Sequence, residues 1–144
     1  MRRRDLLLYF IYIPVKKPNM LSPIQIMKGM FLLRKELNLK NFYDFKPYLY
    51  GPCSFEIYRD LRELSKEGLI ALMPSSSHWK YYIITSLGIK RCRKISLEEN
   101  LIDKMRDIKR IVMEKSFFEL LKYVYNKYPE YAVNSIIDIK ELIG

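Results

Sequence analysis

Histidine is almost missing from this chain, cysteine occurs twice and glycine only five times in 144 residues. One histidine, His78, and two cysteines far apart, Cys53 and Cys92, do not make an ordinary structural zinc site. The same cysteines give no disulfide framework, which fits a reducing cytoplasm. Few glycines and no glycine-rich cluster leave no phosphate-cradling loop of the Walker or dinucleotide type. His78 falls in a polar turn, so the base that nucleophilic catalysis needs is not offered, and Glu98-Glu99 lack the layout of a divalent-metal site. The expectation is a protein without catalytic residues, metal or cofactor. Long hydrophobic runs are missing too. The apolar stretch Leu6 to Val15 is far short of the roughly 20 residues that span a bilayer. Asp5 at its entry, Lys16-Lys17 at its exit and the lack of a small-x-small site argue against a signal peptide. It reads as a buried first helix, in a protein with no membrane partner.

Positive charge is abundant: 26 Lys and Arg stand against 16 Asp and Glu, a formal net charge of +10. Such a field favours polyanions, nucleic acid first and acidic lipid or acidic protein second. A lysine-rich compositional bias is the plainer account. The excess is uneven, +4 over residues 1–20 and +5 over 79–115, with +2 over 21–78 and −1 over 116–144.

Local signals divide the chain into helices and one strand pair. A first helix is expected over Arg3 to Ile13. Ser22-Pro23 then marks a second start, Ser as N-cap and Pro in the first turn, and Ile26, Met27, Met30, Phe31, Leu33 and Leu37 give a broad apolar face up to Asn38. Phe42 to Tyr50 reads as an aromatic, extended connection packed on the core. Gly51-Pro52 turns the chain, Ser54 caps a third helix, and Gly68 ends it. Leu69 to Met73 and Trp79 to Thr85 read as two strands around the polar turn Pro74 to Ser77, and Thr85 opens another helix. Ser96 with Glu99 and Ser116 with Glu119 are capping-box patterns; a break at Ser116 and one continuous helix both stand. Asn134-Ser135 offers a cap for a last short helix. The fold class is therefore mostly α (α+β), a winged helix-turn-helix over residues 1–95 with a two-stranded wing, followed by a C-terminal helical extension over 96–144.

The stretch Phe45-Lys46-Pro47-Tyr48-Leu49-Tyr50-Gly51-Pro52-Cys53-Ser54-Phe55-Glu56-Ile57-Tyr58, followed by Asp60-Leu61, Leu64 and Gly68-Leu69-Ile70, resembles the YwgA-like proteins and the related SocA-like (Panacea) antitoxin domain. Pro23 to Lys28 is similar to the leading helix of that group, Tyr82-Ile83-Ile84-Thr85 with Gly88 to its closing part, and Tyr123 to Ile136 to a C-terminal Tyr-Pro-Glu-Tyr segment. The resemblance implies a compact winged-helix-like domain that binds DNA or a partner protein, and it brings no active site.

On the DNA reading, the helix Ser54 to Glu67 is the recognition helix, with Ser54, Arg59, Arg62 and Lys66 facing double-stranded DNA. Glu56, Asp60, Glu63 and Glu67 share it, so a solvated face laced with weak ion pairs is an equal reading. Ser76 and Lys80 of the wing, with Lys90, Arg91, Arg93 and Lys94 after it, are the expected phosphate contacts. Trp79 is expected to pack under the wing. Tyr48, Tyr50, Tyr58, Tyr81 and Tyr82 offer either a stacking platform or core. Leu97, Leu101, Met105, Ile108, Val112, Phe118, Leu121, Val124 and Tyr125 run near heptad spacing, which suits a homodimer seam or a face folded back on its own domain. Two functions follow: a cytoplasmic DNA-binding transcriptional regulator, or an antitoxin or adaptor that clasps a toxin or another protein through the mixed-charge helix and the Phe42–Tyr50 segment.

Overall fold

The computed structural model describes residues 2–74 and 80–135. They form a mixed α+β protein with helices predominating and two small antiparallel hairpins. In chain order these are α1 (Arg3–Tyr12), α2 (Pro23–Leu37), β1 (Lys46–Tyr48), β2 (Gly51–Cys53), α3 (Phe55–Lys66), β3 (Ile70–Pro74), β4 (Lys80–Ile84), α4 (Ser86–Arg93), α5 (Glu99–Glu114) and α6 (Phe117–Lys127), closed by a 3-10 turn at Pro129–Ala132.

Two helices make the centre. Helix α2 starts as its residues dictate: the Ser22 N–H donates to Gln25 Oε1 at 2.8 Å, and the Gln25 N–H donates back to Ser22 Oγ at 3.2 Å. It ends where Asn38 takes a left-handed conformation, φ 48. From Ile26 to Leu33 every residue is buried, which goes beyond the one apolar face read from its periodicity. Helix α1 lies close against it, and the Phe10 ring fills the space that a side chain at Gly29 would need.

Lys109 of α5 joins these parts. It is fully buried, and its ammonium donates to the carbonyls of Ile11 and Ile13, and to the Asn19 side chain at 2.7 Å. Three donors meet three acceptors, two of them carbonyls at the electronegative end of α1. Glu36 of α2 is held between Lys104 of α5 at 3.1 Å and Lys127 of α6 at 2.8 Å.

The second hairpin forms as expected, β3 against β4 with Ile70 opposite Ile84 and Pro74 opposite Lys80. A third piece adds to it. Leu21, between α1 and α2, bridges to Tyr82: its N–H donates at 3.1 Å and its carbonyl accepts at 2.8 Å. The hairpin is buried at its base, Ile70, and exposed at Leu72 and Met73. The expectations for Ser75 to Trp79 and for the last short helix lie outside the described residues. Helix α4 docks at the base of this hairpin. Thr85 Oγ1 accepts from the Gly88 N–H and donates to the Gly68 carbonyl at 2.6 Å, and a Cβ on Gly88 would lie 2.1 Å from the Leu69 carbonyl oxygen.

Two local expectations change, and two left open are settled. Phe42 to Tyr50 is not simply extended: Phe42 and Tyr43 are buried, and β1 then turns at Leu49-Tyr50 to pair with β2. Ser96 is not the cap of α5. Leu97 packs on the core, and Glu98 takes the extended cap backbone two residues later. Ser116 does break the chain between α5 and α6, with reciprocal bonds to Glu119 of 3.0 and 3.2 Å. Most of the heptad stripe folds back: Met105, Ile108, Val112, Leu121, Val124 and Tyr125 are buried in the same cluster as α1 and α2. Of its members, Phe118 is exposed.

Lys109→Met strips three acceptors of their donor, and the fold should lose about 3 kcal/mol in denaturant unfolding. Burial holds the Lys109 pKa down to about 7, against an ordinary value of 10.5. The unfolded chain therefore keeps a proton that the folded chain releases, so this group makes stability rise from about pH 7 to about pH 10.5. That rise should shrink in Lys109→Met.

Candidate nucleic-acid interface

Helix α3 carries three stripes. Ile57, Leu61 and Leu64 are buried and fix its orientation. Glu56, Asp60, Glu63 and Glu67 recur at helical spacing along one flank. Phe55, Arg59, Arg62 and Lys66 run along the side opposite the core, and all four are exposed.

The acidic flank is turned toward α1. Arg3 reaches Glu56 at 2.7 Å and Asp60 at 3.5 Å, while Arg4 reaches Glu63 at 3.3 Å and also Glu67. Burial works against the charge of Arg4, but the Glu67 hydrogen bond and the neighbouring carboxylates outweigh it and raise its pKa. Asp60 is more than a surface acid. It is buried, accepts from the Tyr43 hydroxyl at 2.6 Å, and faces an Arg3 guanidinium that sits 4.9 Å from the centre of the Tyr43 ring. Burial first, and the Asp60 bond second, push the Tyr43 phenol far above its ordinary pKa.

These acids are paired with α1, Asp60 buried and Glu56, Glu63 and Glu67 still partly exposed, and the α3 cations also face solvent. Arg59 touches Glu56 at 3.8 Å. Arg62 and Lys66 have no ion pair among the described residues. Arg62 lies near β4, where its charge opposes the burial that raises the Tyr82 phenol. Lys80, Lys90, Arg91, Arg93 and Lys94 are exposed. None of them has an acidic partner among the described residues. Elsewhere in 79–115 the cations are engaged: Lys104 by Glu36, Arg106 by Asp103, Arg110 by Asp107, Lys109 in the core, and Lys115 over the Tyr123 ring. The free positive charge of this segment is thus concentrated on β4 and α4, which meet the end of α3 at the Gly68–Thr85 bond.

One expected contact falls away from this surface, and another is not among the described residues. Ser54 is buried, and its hydroxyl has no hydrogen-bond partner among the described residues, so it neither caps α3 nor faces solvent. Ser76 lies outside the described residues. The tyrosines divide: Tyr48, Tyr50 and Tyr58 line a cavity beside the first hairpin, whereas Tyr82 is held by Leu21. Arg3 and Arg4 were read only as general positive charge. The signal for their role was the spacing of four acids on one flank of α3, which requires counter-cations from another element.

No protein-family model matches the chain, and no curated protein matches it either. No helix among the described residues is long and apolar enough to cross a membrane.

Asp60→Ala leaves Tyr43 and Arg3 without their shared acceptor and should lower stability by about 3 kcal/mol. Arg62→Ala, exposed and unpaired, should change it by less than about 0.5 kcal/mol. Thermal or denaturant unfolding of the two variants checks the contrast.

Proposed function

We propose that the chain is a DNA-binding winged-helix transcriptional regulator, of the kind its resemblance to YwgA-like and SocA-like proteins implies. The order α1, Leu21 bridge, α2, α3, β3–β4 supports the winged-helix reading, with the first hairpin inserted between the two helices of the helix-turn-helix. One observation carries the function: Arg3 and Arg4 engage the α3 acids, leaving Arg59, Arg62 and Lys66 outward beside the unpaired cations of β4 and α4. In this reading α4 and the wing dock on phosphates, which gives salt-dependent affinity and register. Helix α3 then enters the major groove, where arginine reads guanine. A homodimer presents two such readers to one duplex and blocks a promoter.

A second reading rests on a different observation. Tyr48, Leu49, Tyr50, Phe55 and Phe118 are exposed large apolar residues at or near the first hairpin and the start of α6. An apolar edge of this kind suits an antitoxin or adaptor that holds a protein partner.

A salt titration on duplex DNA of arbitrary sequence separates them. The DNA reading requires a slope of log Kobs against log salt near −5, from roughly six phosphate contacts. Reversal of Arg91, Arg93 and Lys94 to Glu should flatten that slope by about 2 to 3 and weaken binding at every sequence. Absence of salt-sensitive retention ends this proposal and leaves the protein-contact reading.

A further inference from the structure

A cavity of about 240 Å³ opens beside the β1–β2 hairpin. Its walls are the rings of Tyr48, Tyr50, Phe55 and Tyr58, and Lys28 of α2 lies within it. Lys28 is only 2% exposed. Its ammonium donates to the Tyr50 carbonyl at 2.5 Å and has no second acceptor among the described residues. Lys109 shows what a satisfied buried lysine looks like in this same protein, with three acceptors around it. Lys28 has two N–H bonds to spare, in an apolar setting where unmet donors are costly.

Gly51 has φ +97, and a Cβ there would sit 3.5 Å from Lys28 Nζ. A side chain at this position is disfavoured by the backbone, and its Cβ would be in ordinary contact with the nitrogen. The titratable neighbours are Tyr48 and Tyr50 of the first hairpin, Cys53 at its end, Tyr58 of α3 and Tyr125 of α6. No carboxylate among the described residues pairs with Lys28. One unmatched positive charge calls for one negative charge, and ring walls call for a flat, apolar body.

We propose that this cavity binds a small aromatic monocarboxylate, its carboxylate accepting from Lys28 and its ring lying against the Tyr48, Tyr50 and Phe55 side chains. The site stands whether or not α3 binds DNA. Because Phe55 and Tyr58 belong to the first turns of α3, an occupant touches the helix that carries Arg59 and Arg62.

The test is calorimetric titration of the full chain with benzoate, phenylacetate, salicylate and indole-3-acetate, with benzamide and inorganic phosphate as controls. At least one carboxylate should bind saturably. Benzamide should bind about ten-fold or more weakly than benzoate if benzoate is the ligand taken, the factor for losing a bond to a charged donor, and phosphate should not bind. Burial holds the Lys28 pKa down to about 8, so carboxylate affinity should fall about ten-fold between pH 7 and pH 9 as the free ammonium is lost. Burial raises Cys53 and Tyr58 above their ordinary values, so neither accounts for that fall. Lys28→Met should abolish binding. Tyr48→Ala, at the exposed rim, should weaken it while leaving thermal unfolding unchanged, and it decides the matter if Lys28→Met does not fold. No saturable binding by any carboxylate, equal binding of the neutral amide, or full affinity in Tyr48→Ala overturns the proposal.

Discussion

Four carboxylates along one flank of a helix repel one another and repel any anion that approaches. In this protein two guanidiniums from another helix hold them. Arg3 and Arg4 of α1 take Glu56, Asp60, Glu63 and Glu67 of α3 between them, and the Tyr43 hydroxyl adds a bond to the buried Asp60. The exposed members of such pairs contribute little to stability, but they decide the sign of the charge that α3 turns outward. Without them α3 with its cap residue Glu67 is slightly acidic; with them Glu63 and Glu67 are paired where they meet solvent, and Arg59, Arg62 and Lys66 share that exposure. The same contact fixes α1 against α3, so the apolar body of α1 and the electrostatics of α3 are set together.

Much of this was legible from local chemistry. Ser22-Pro23, the Ser116–Glu119 pair and Gly68 mark helix ends because their side chains or backbone satisfy groups that a helix end leaves open. The ribbon after α3 was legible as two β-rich runs around a polar turn. What escaped was non-local. Ser96 with Glu99 has the same spacing as Ser116 with Glu119, yet Leu97 packs on the core and α5 starts at Glu99, with Glu98 as its cap. The β1–β2 hairpin escaped because Pro47 and Pro52 stand opposite each other in three-residue strands, which no alternation of polar and apolar residues announces. Ser54 looked like an ordinary cap and proved to be a buried hydroxyl.

The cations show the same limit. Counting gives a net charge but does not say which lysines are on the surface. Lys28 and Lys109 are both interior, and their neighbours in sequence differ little from those of Lys104 or Lys115. Carbonyls supplied from far along the chain distinguish them: Ile11 and Ile13 for Lys109, Tyr50 for Lys28. By contrast Lys90, Arg91, Arg93 and Lys94 were legible as a cluster, since four cations within a helix of eight residues and its cap cannot all be buried.

The bond between Lys109 and the end of α1 spans 98 residues of sequence. During synthesis α1 emerges before α5, and its apolar residues from Leu6 onward await a partner that does not yet exist. At typical elongation rates, roughly 5 to 20 residues per second, that interval lasts about 5 to 20 seconds. For that period the carbonyls of Ile11 and Ile13 are without the ammonium that joins them to α5, and the core around α1 is incomplete.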